Sequence, residues 1–337
     1  MVKIGSAGLY IALECGATHT GKESLLRLAK AAAAAGADAL KVQVIRADDL
    51  MRADDPTEIT FGTVGGERRE SLYGALKRRE LPFEDWAEVR DACADLGLAF
   101  IATPSGPRMV NFLASIEADA LKIAKGDMTY LELVQLAART GLPLLLDGRE
   151  RVTELGEAIW TAERAGATNI ILVHCASGYP PPESGVHLRA IPILREVFGR
   201  PVGFSDHSPS EVMCHAALAL GARYIEKSVS ENPSIQTVEH SISLGLEELR
   251  GFVRRLRAVE LALGEAAVLA LSRVAPAHRR GLFAAHDLPA FRVLIREDLD
   301  CIRPEVGIPV NQLAAVVGRT LSRPVRGGDP IRWEDLT

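Results

Sequence analysis

Glu14, His19, Lys41, Gln43, Lys122, Asp127, Asp147, His174, Ser177, Asp206, His207 and Glu226 stand at or near the ends of short apolar runs. A lysine inside an apolar run is costly unless its charge is met. Lys41 and Lys122 therefore either hold an anionic ligand or close a salt bridge across the interior. Glu14 is placed to carry a proton, or to pair with one of those lysines. Ser177 and Ser205 stand where hydroxyls and adjacent backbone N–H groups can complete an anion cradle, or else they are ordinary turn serines. His207, directly after Asp206, is the most chemically pointed side chain, unless its ring is simply hydrogen-bonded in a turn.

Such residues must be carried by elements that repeat. The runs are Tyr10–Gly16, Ala39–Val44, Ala99–Pro104, Ala120–Gly126, Pro143–Gly148, Asn169–Ser177, Pro201–His207 and Arg223–Ser230. Near-continuous apolar strands alternating with amphipathic helices imply parallel strands covered on both faces. Eight such units fit a closed (β/α)8 barrel, whose chemistry lies at the C-terminal ends of its strands. Helical periodicity is clear in Leu25, Leu26, Leu28, Ala29 and Ala32, ended by Gly36, and again from Leu249 to Leu263, ended by Gly264. The interval from Arg46 to Pro82 is long and highly charged, and is expected to form a cover over the mouth containing short helices. The expected domains are a barrel over 1–264, a linker over 265–277 and a β-rich module over 278–337. Short strands are expected at Gly281–Ala285, Phe291–Ile295 and Ile331–Trp333.

The 337 residues, 47% of them hydrophobic, suffice for a barrel of about 250 residues plus the small module. A net charge of −5 argues against nucleic acid and anionic membrane surfaces as partners. No run approaches the roughly 18 apolar residues of a membrane span. The N-terminus lacks a signal-peptide pattern, and the five scattered cysteines suit reduced thiols. A cytoplasmic location is expected.

Six segments carry a family resemblance: Glu14-Cys15-Gly16-Ala17-Thr18-His19-Thr20-Gly21, Lys41-Val42-Gln43, Thr103-Pro104, Lys122-Ile123-Ala124, His174-Cys175-Ala176-Ser177-Gly178-Tyr179-Pro180 and Gly203-Phe204-Ser205-Asp206-His207-Ser208. Together they resemble sialic acid synthases, which condense phosphoenolpyruvate with an N-acylated amino sugar to give a 2-keto-3-deoxy sugar acid and phosphate. From Arg279 through Ile302-Arg303-Pro304 to Gly327 the chain resembles the antifreeze-like (SAF) domain of these enzymes. The resemblance implies that Lys41, Lys122, Ser177 and Ser205 hold phosphate or carboxylate, and that Glu14 serves the aldehyde and a water. It further implies that Gln43, Tyr179, Asp127 and Glu239 touch the sugar, with Thr103 and Asp147 also lining the substrate site. Arg303 would reach the sugar in a neighbour's barrel across a domain-swapped homodimer. His207 matches one of two histidines that bind the family's Mn2+ or Mg2+, with Asp206 placed to orient its ring. No organic cofactor is implied.

The chain departs from the pattern on the same face. The second metal histidine is Ser228, a poor ligand, so the divalent metal is doubtful here. The family's Ser-Gly-Glu is Lys125-Gly126-Asp127, its Ser-Thr-Gly-Met is Asp147-Gly148-Arg149-Glu150, and the phenylalanine after Thr-Pro is Ser105. Charged replacements gathered around one cavity point to a rebuilt site, with Lys125 supplying the positive charge otherwise given by metal. Two other readings stay open: a lyase or aldolase of another class on the same barrel, and a non-catalytic sugar-phosphate binder.

Overall fold

The computed structural model describes the chain except for residues 1–3, 5–7, 17, 64–65, 149–150, 177, 233–238 and 265–274. Strands β1 (Tyr10–Glu14), β2 (Ala39–Val44), β3 (Ala99–Pro104), β4 (Ala120–Ile123), β5 (Leu144–Asp147), β6 (Ile170–Cys175), β7 (Val202–Asp206) and β8 (Tyr224–Ser230) pair in parallel, in chain order. β8 returns to β1, with Tyr10 opposite Tyr224 and Glu14 opposite Ser228, and so closes the barrel. The (β/α)8 architecture follows from burial on both faces. Residues directed outward, such as Leu13, Val42 and Phe204, join helix residues such as Leu25, Leu28 and Phe252 in one large apolar cluster.

The inward set decides where chemistry is possible. A separate apolar cluster, including Ala12, Ala39, Ile101, Ala120, Leu145, Val173 and Tyr224, plugs the lower barrel. One step of the two-residue strand period further along lie Glu14, Lys41, Thr103, Lys122, Asp147, Cys175 and Glu226. The interior thus changes from hydrocarbon to charge within one layer. Gly203 belongs to the lower part, because a β-carbon there would lie 2.7 Å from the Tyr224 side chain.

The helix Lys22–Ala35 ends at Gly36, whose φ of 84° places its N–H against the carbonyls of Ala32 and Ala33. The interval between β2 and β3 holds the short helices Ala47–Leu50 and Leu72–Lys77, as expected. It also holds an antiparallel hairpin, Glu58–Thr63 with Gly66–Ser71, which its charged composition did not reveal.

The chain forms two compact units, Met1–Leu263 and Gly264–Thr337. The second has its own core, with Leu282, Leu294, Leu299, Ile308 and Leu321 among its buried residues. The Gly281–Ala284 strand forms and pairs with Leu299–Ile302. The other two expected strands do not form. Phe291 adopts φ 65°, which ends an extended run, and Trp333–Asp335 is a 3-10 turn whose Asp335 carboxylate accepts the Arg332 N–H at 2.8 Å. Among the described residues no helix is long and apolar enough to cross a membrane.

Candidate active site

A cavity of about 390 Å³ opens at the C-terminal ends of the strands, and its charged lining comprises Lys41, Lys122, Lys125, Glu14, Asp147, Glu226 and Glu239. Gln43, Thr103, Cys175, Tyr179 and His207 complete the functional groups. Both strand lysines are ion-paired. Lys41 meets Glu14 on the adjacent strand, and Lys122 meets Glu226 from across the barrel. The salt-bridge alternative is therefore realised for both, but the pairs sit on the cavity wall and leave the space beside them open.

Each carboxylate has a different environment. Glu226 accepts from Ser205 Oγ at 2.6 Å and from the Tyr224 hydroxyl at 2.8 Å, besides Lys122. Burial alone would raise its pKa, but Lys122 and then Lys41 outweigh it and hold the group well below the usual carboxylate range. Glu226 in turn helps to hold the Lys122 ammonium above its ordinary pKa despite burial. Glu14 accepts the Gly16 N–H at 2.6 Å, yet burial, opposed by Lys41 and reinforced by Glu226, pushes its pKa up. Glu239 is pushed up to about 7, by burial first and then by Glu14 and Glu226, with Lys41 and Arg79 opposing. Its Oε2 is buried and has no hydrogen-bond partner, and the same holds for Thr103 Oγ1.

Three expectations need correction, those for Ser205, Asp206 and His19. Ser205 does not face a ligand, since its hydroxyl is donated to Glu226 and it is 1% exposed. Asp206 is not directed at the His207 ring. Strand alternation turns it outward, where its carboxylate accepts from the Ser208 N–H at 2.9 Å, Cys214 Sγ at 3.2 Å and Lys227 Nζ at 3.0 Å. His19 is buried edge-on to Trp86 and lines neither this cavity nor its neighbour. Asp127 lines the neighbouring cavity, where burial raises its pKa. Ser177 lies outside the described residues, and Arg303 is an exposed residue of the second unit.

His207 stacks on Tyr179 with ring centroids 4.4 Å apart, and Cys175 Sγ lies 3.6 Å from its Nδ1. Cys175 was not singled out from the sequence, although as the last residue of β6, in register with Ser205, it carried the same signal as the others. The metal implied by the resemblance finds a poor donor set. Ser228 occupies the second histidine's place, and among the described residues no group of three or more His, Cys, Asp or Glu side chains converges to hold an ion. The described residues do not fit a resident divalent ion.

Residues 28–268 match the NeuB family model, and residues 279–337 match that of the SAF domain. The chain belongs to the NeuB family. Among NeuB-family relatives, the N,N'-diacetyllegionaminic acid synthase of Legionella pneumophila is 30% identical over 336 residues, covering 97% of this chain and 94% of the relative. The pseudaminic acid synthase of Campylobacter jejuni strain 81-176 is 28% identical over 334 residues, covering 97% and 96%. The crystal structure of an N-acetylneuraminic acid synthetase from Leptospira borgpetersenii, in complex with citrate, superposes with a TM-score of 0.71 at 26% identity. It covers 81% of this chain and 92% of that one. The fold and this NeuB-family membership agree with the motif resemblance.

Proposed function

We propose that the protein condenses phosphoenolpyruvate with an open-chain aldose of the N-acylated amino sugar type, forming a 2-keto-3-deoxy sugar acid and releasing phosphate. The observation that carries this reading is the paired-lysine wall: buried Lys41 and Lys122, with Lys125 beside them, around an open cavity in a NeuB-family barrel. Among the described residues three lysines face four carboxylates there, so with every carboxylate ionised that lining would repel a phosphorylated acid. The raised pKa of Glu239, about 7, reduces the repulsion, because a proton there removes one negative charge from the wall. Phosphate and carboxylate oxygens then compete with Glu14 and Glu226 for the lysine ammonium groups.

In the reaction, C3 of the enol attacks the aldehyde carbon, and the aldehyde oxygen becomes an alkoxide. Glu239, protonated near neutrality, donates the proton that this oxygen needs. Water adds to C2 of the resulting oxocarbenium centre and gives its proton to a carboxylate of the wall. In the collapse the C2 hydroxyl gives its proton to the departing phosphate as the bond from C2 to the phosphate oxygen breaks, leaving the keto group and hydrogen phosphate. Lys125 stabilises the developing oxyanion. At an effective dielectric of about 20, a unit charge roughly 4 Å away is worth about 4 kcal/mol before desolvation. Asp127, Gln43 and Tyr179 bind the sugar, and Arg303 reaches it from the second protomer of a domain-swapped dimer. A Schiff-base aldolase is less well supported, because it needs a lysine of lowered pKa and Lys122 is shifted the other way.

The test is phosphate release from phosphoenolpyruvate across a panel of aldoses, with and without Mn2+ and with chelator. Turnover with at least one N-acylated amino sugar is expected. Absence of release with every aldose, together with no binding of phosphoenolpyruvate, overturns the reading. The Lys125→Met variant is expected to lose about a hundredfold in kcat in chelator, the usual scale for one oxyanion-stabilising group. Undiminished turnover would remove Lys125 from the mechanism.

A further inference from the structure

A cavity of about 440 Å³ lies at the opposite end of the barrel, where β7 and β8 begin. Three arginines line it, Arg195, Arg200 and Arg223, and among the described residues no carboxylate does. Arg195 sits in the last turn of the helix Ala190–Phe198, where a cation commonly donates to the final carbonyls. Gly221 instead makes room for its guanidinium, since a β-carbon there would lie 2.4 Å from Nη1. Arg223 is fixed at the backbone, its N–H donated to the Val202 carbonyl at 2.8 Å, while its side chain stays exposed. Among the described residues neither Arg195 nor Arg223 forms an ion pair or a side-chain hydrogen bond. Arg200 alone is matched, by Glu163.

Three positive charges less that of Glu163 leave an excess of two, in a chain whose net charge is −5. Guanidiniums gathered without partners repel one another, and a bound anion relieves that repulsion. The geometry points to a phosphoryl-binding site on the lower face of the barrel, for inorganic phosphate or the phosphate end of a small monoester. A dianion meets the charge excess, and planar guanidiniums match phosphate oxygens two at a time. The space is larger than one phosphate requires, so a short organic tail can be accommodated. No aromatic ring lines it among the described residues, so a nucleotide base would find no stacking partner. The site shares no residue with the lysine-lined cavity and does not depend on the proposed condensation.

Inorganic phosphate and glycerol 3-phosphate are titrated calorimetrically into the full chain and into its Arg195→Gln/Arg223→Gln variant. Wild-type protein is expected to show a binding event that the variant weakens about a hundredfold, roughly tenfold for each guanidinium lost. Phosphate taken up by the lysine-lined cavity registers equally in both proteins and cancels. Tighter binding of the monoester marks an organic phosphate as the occupant, and equal or weaker binding marks the free ion. The single variant Arg223→Gln, which breaks no ion pair, serves with about a tenfold loss if the double variant does not fold. Absence of binding, identical titrations of wild type and folded variants, or an affinity independent of ionic strength overturns the site.

Discussion

Glu14, Lys41, Lys122 and Glu226 form two ion pairs that are almost fully removed from water. Such pairs stabilise little against an apolar replacement, but breaking one strands a charge in a medium that cannot solvate it. Lys122→Met is therefore expected to cost about 3–5 kcal/mol in urea unfolding, and Lys122→Met with Glu226→Gln clearly less, because the second change removes the orphaned charge. Equal destabilisation by the single and double variants would show that the pair is not coupled. The same carboxylates govern protonation. Glu239 has a folded pKa of about 7 against an ordinary value of 4.5, so it binds a proton at a pH where the unfolded chain does not. Its contribution to stability is present below about 4.5 and lost as pH rises through about 7. An incoming trianion raises Glu239 further, so phosphoenolpyruvate binding should take up a proton near pH 7. Titration calorimetry in buffers of different ionisation enthalpy reads this directly, and a buffer-independent enthalpy would refute it.

The strands explain how far the site was legible. A period of two places Glu14, Lys41, Lys122 and Glu226 inside, and each was visible in the sequence as a charge ending an apolar run. That Lys122 meets Glu226 was not visible, because their meeting depends on the width of a closed barrel and not on any local spacing. Asp206 and His207 adjoin in the sequence, yet successive residues of an extended chain face opposite sides, and Asp206 pairs with Lys227. The hairpin between β2 and β3 was hidden because Glu67-Arg68-Arg69-Glu70 shows no hydrophobic alternation. Gly203 tests the barrel packing itself. Gly203→Ala forces a methyl into the Tyr224 side chain and is expected to destabilise by about 1–3 kcal/mol, measured by denaturant unfolding. A change well below that would mean that Tyr224 yields at little cost.

At the scale of the molecule, two units with separate cores are joined through a segment that includes residues 265–274. If Arg303 serves the partner's barrel, the defect is shared across protomers and can be complemented. Mixing Arg303→Ala with Lys125→Met protein, each impaired alone, should after subunit exchange restore about a quarter of wild-type sites, since half of randomly formed dimers are mixed and each holds one intact site. No recovery, with exchange verified by mass, would place Arg303 outside the neighbour's site.

Lys227 is wholly buried on the outer side of β8, bound to Asp206 and to the carbonyls of Ser208 and Ser210. The turn that follows His207 is thereby anchored from behind, on the dry face away from any ligand. If a substrate meets the imidazole, that ring is already held, which lowers the ordering cost of association at that edge.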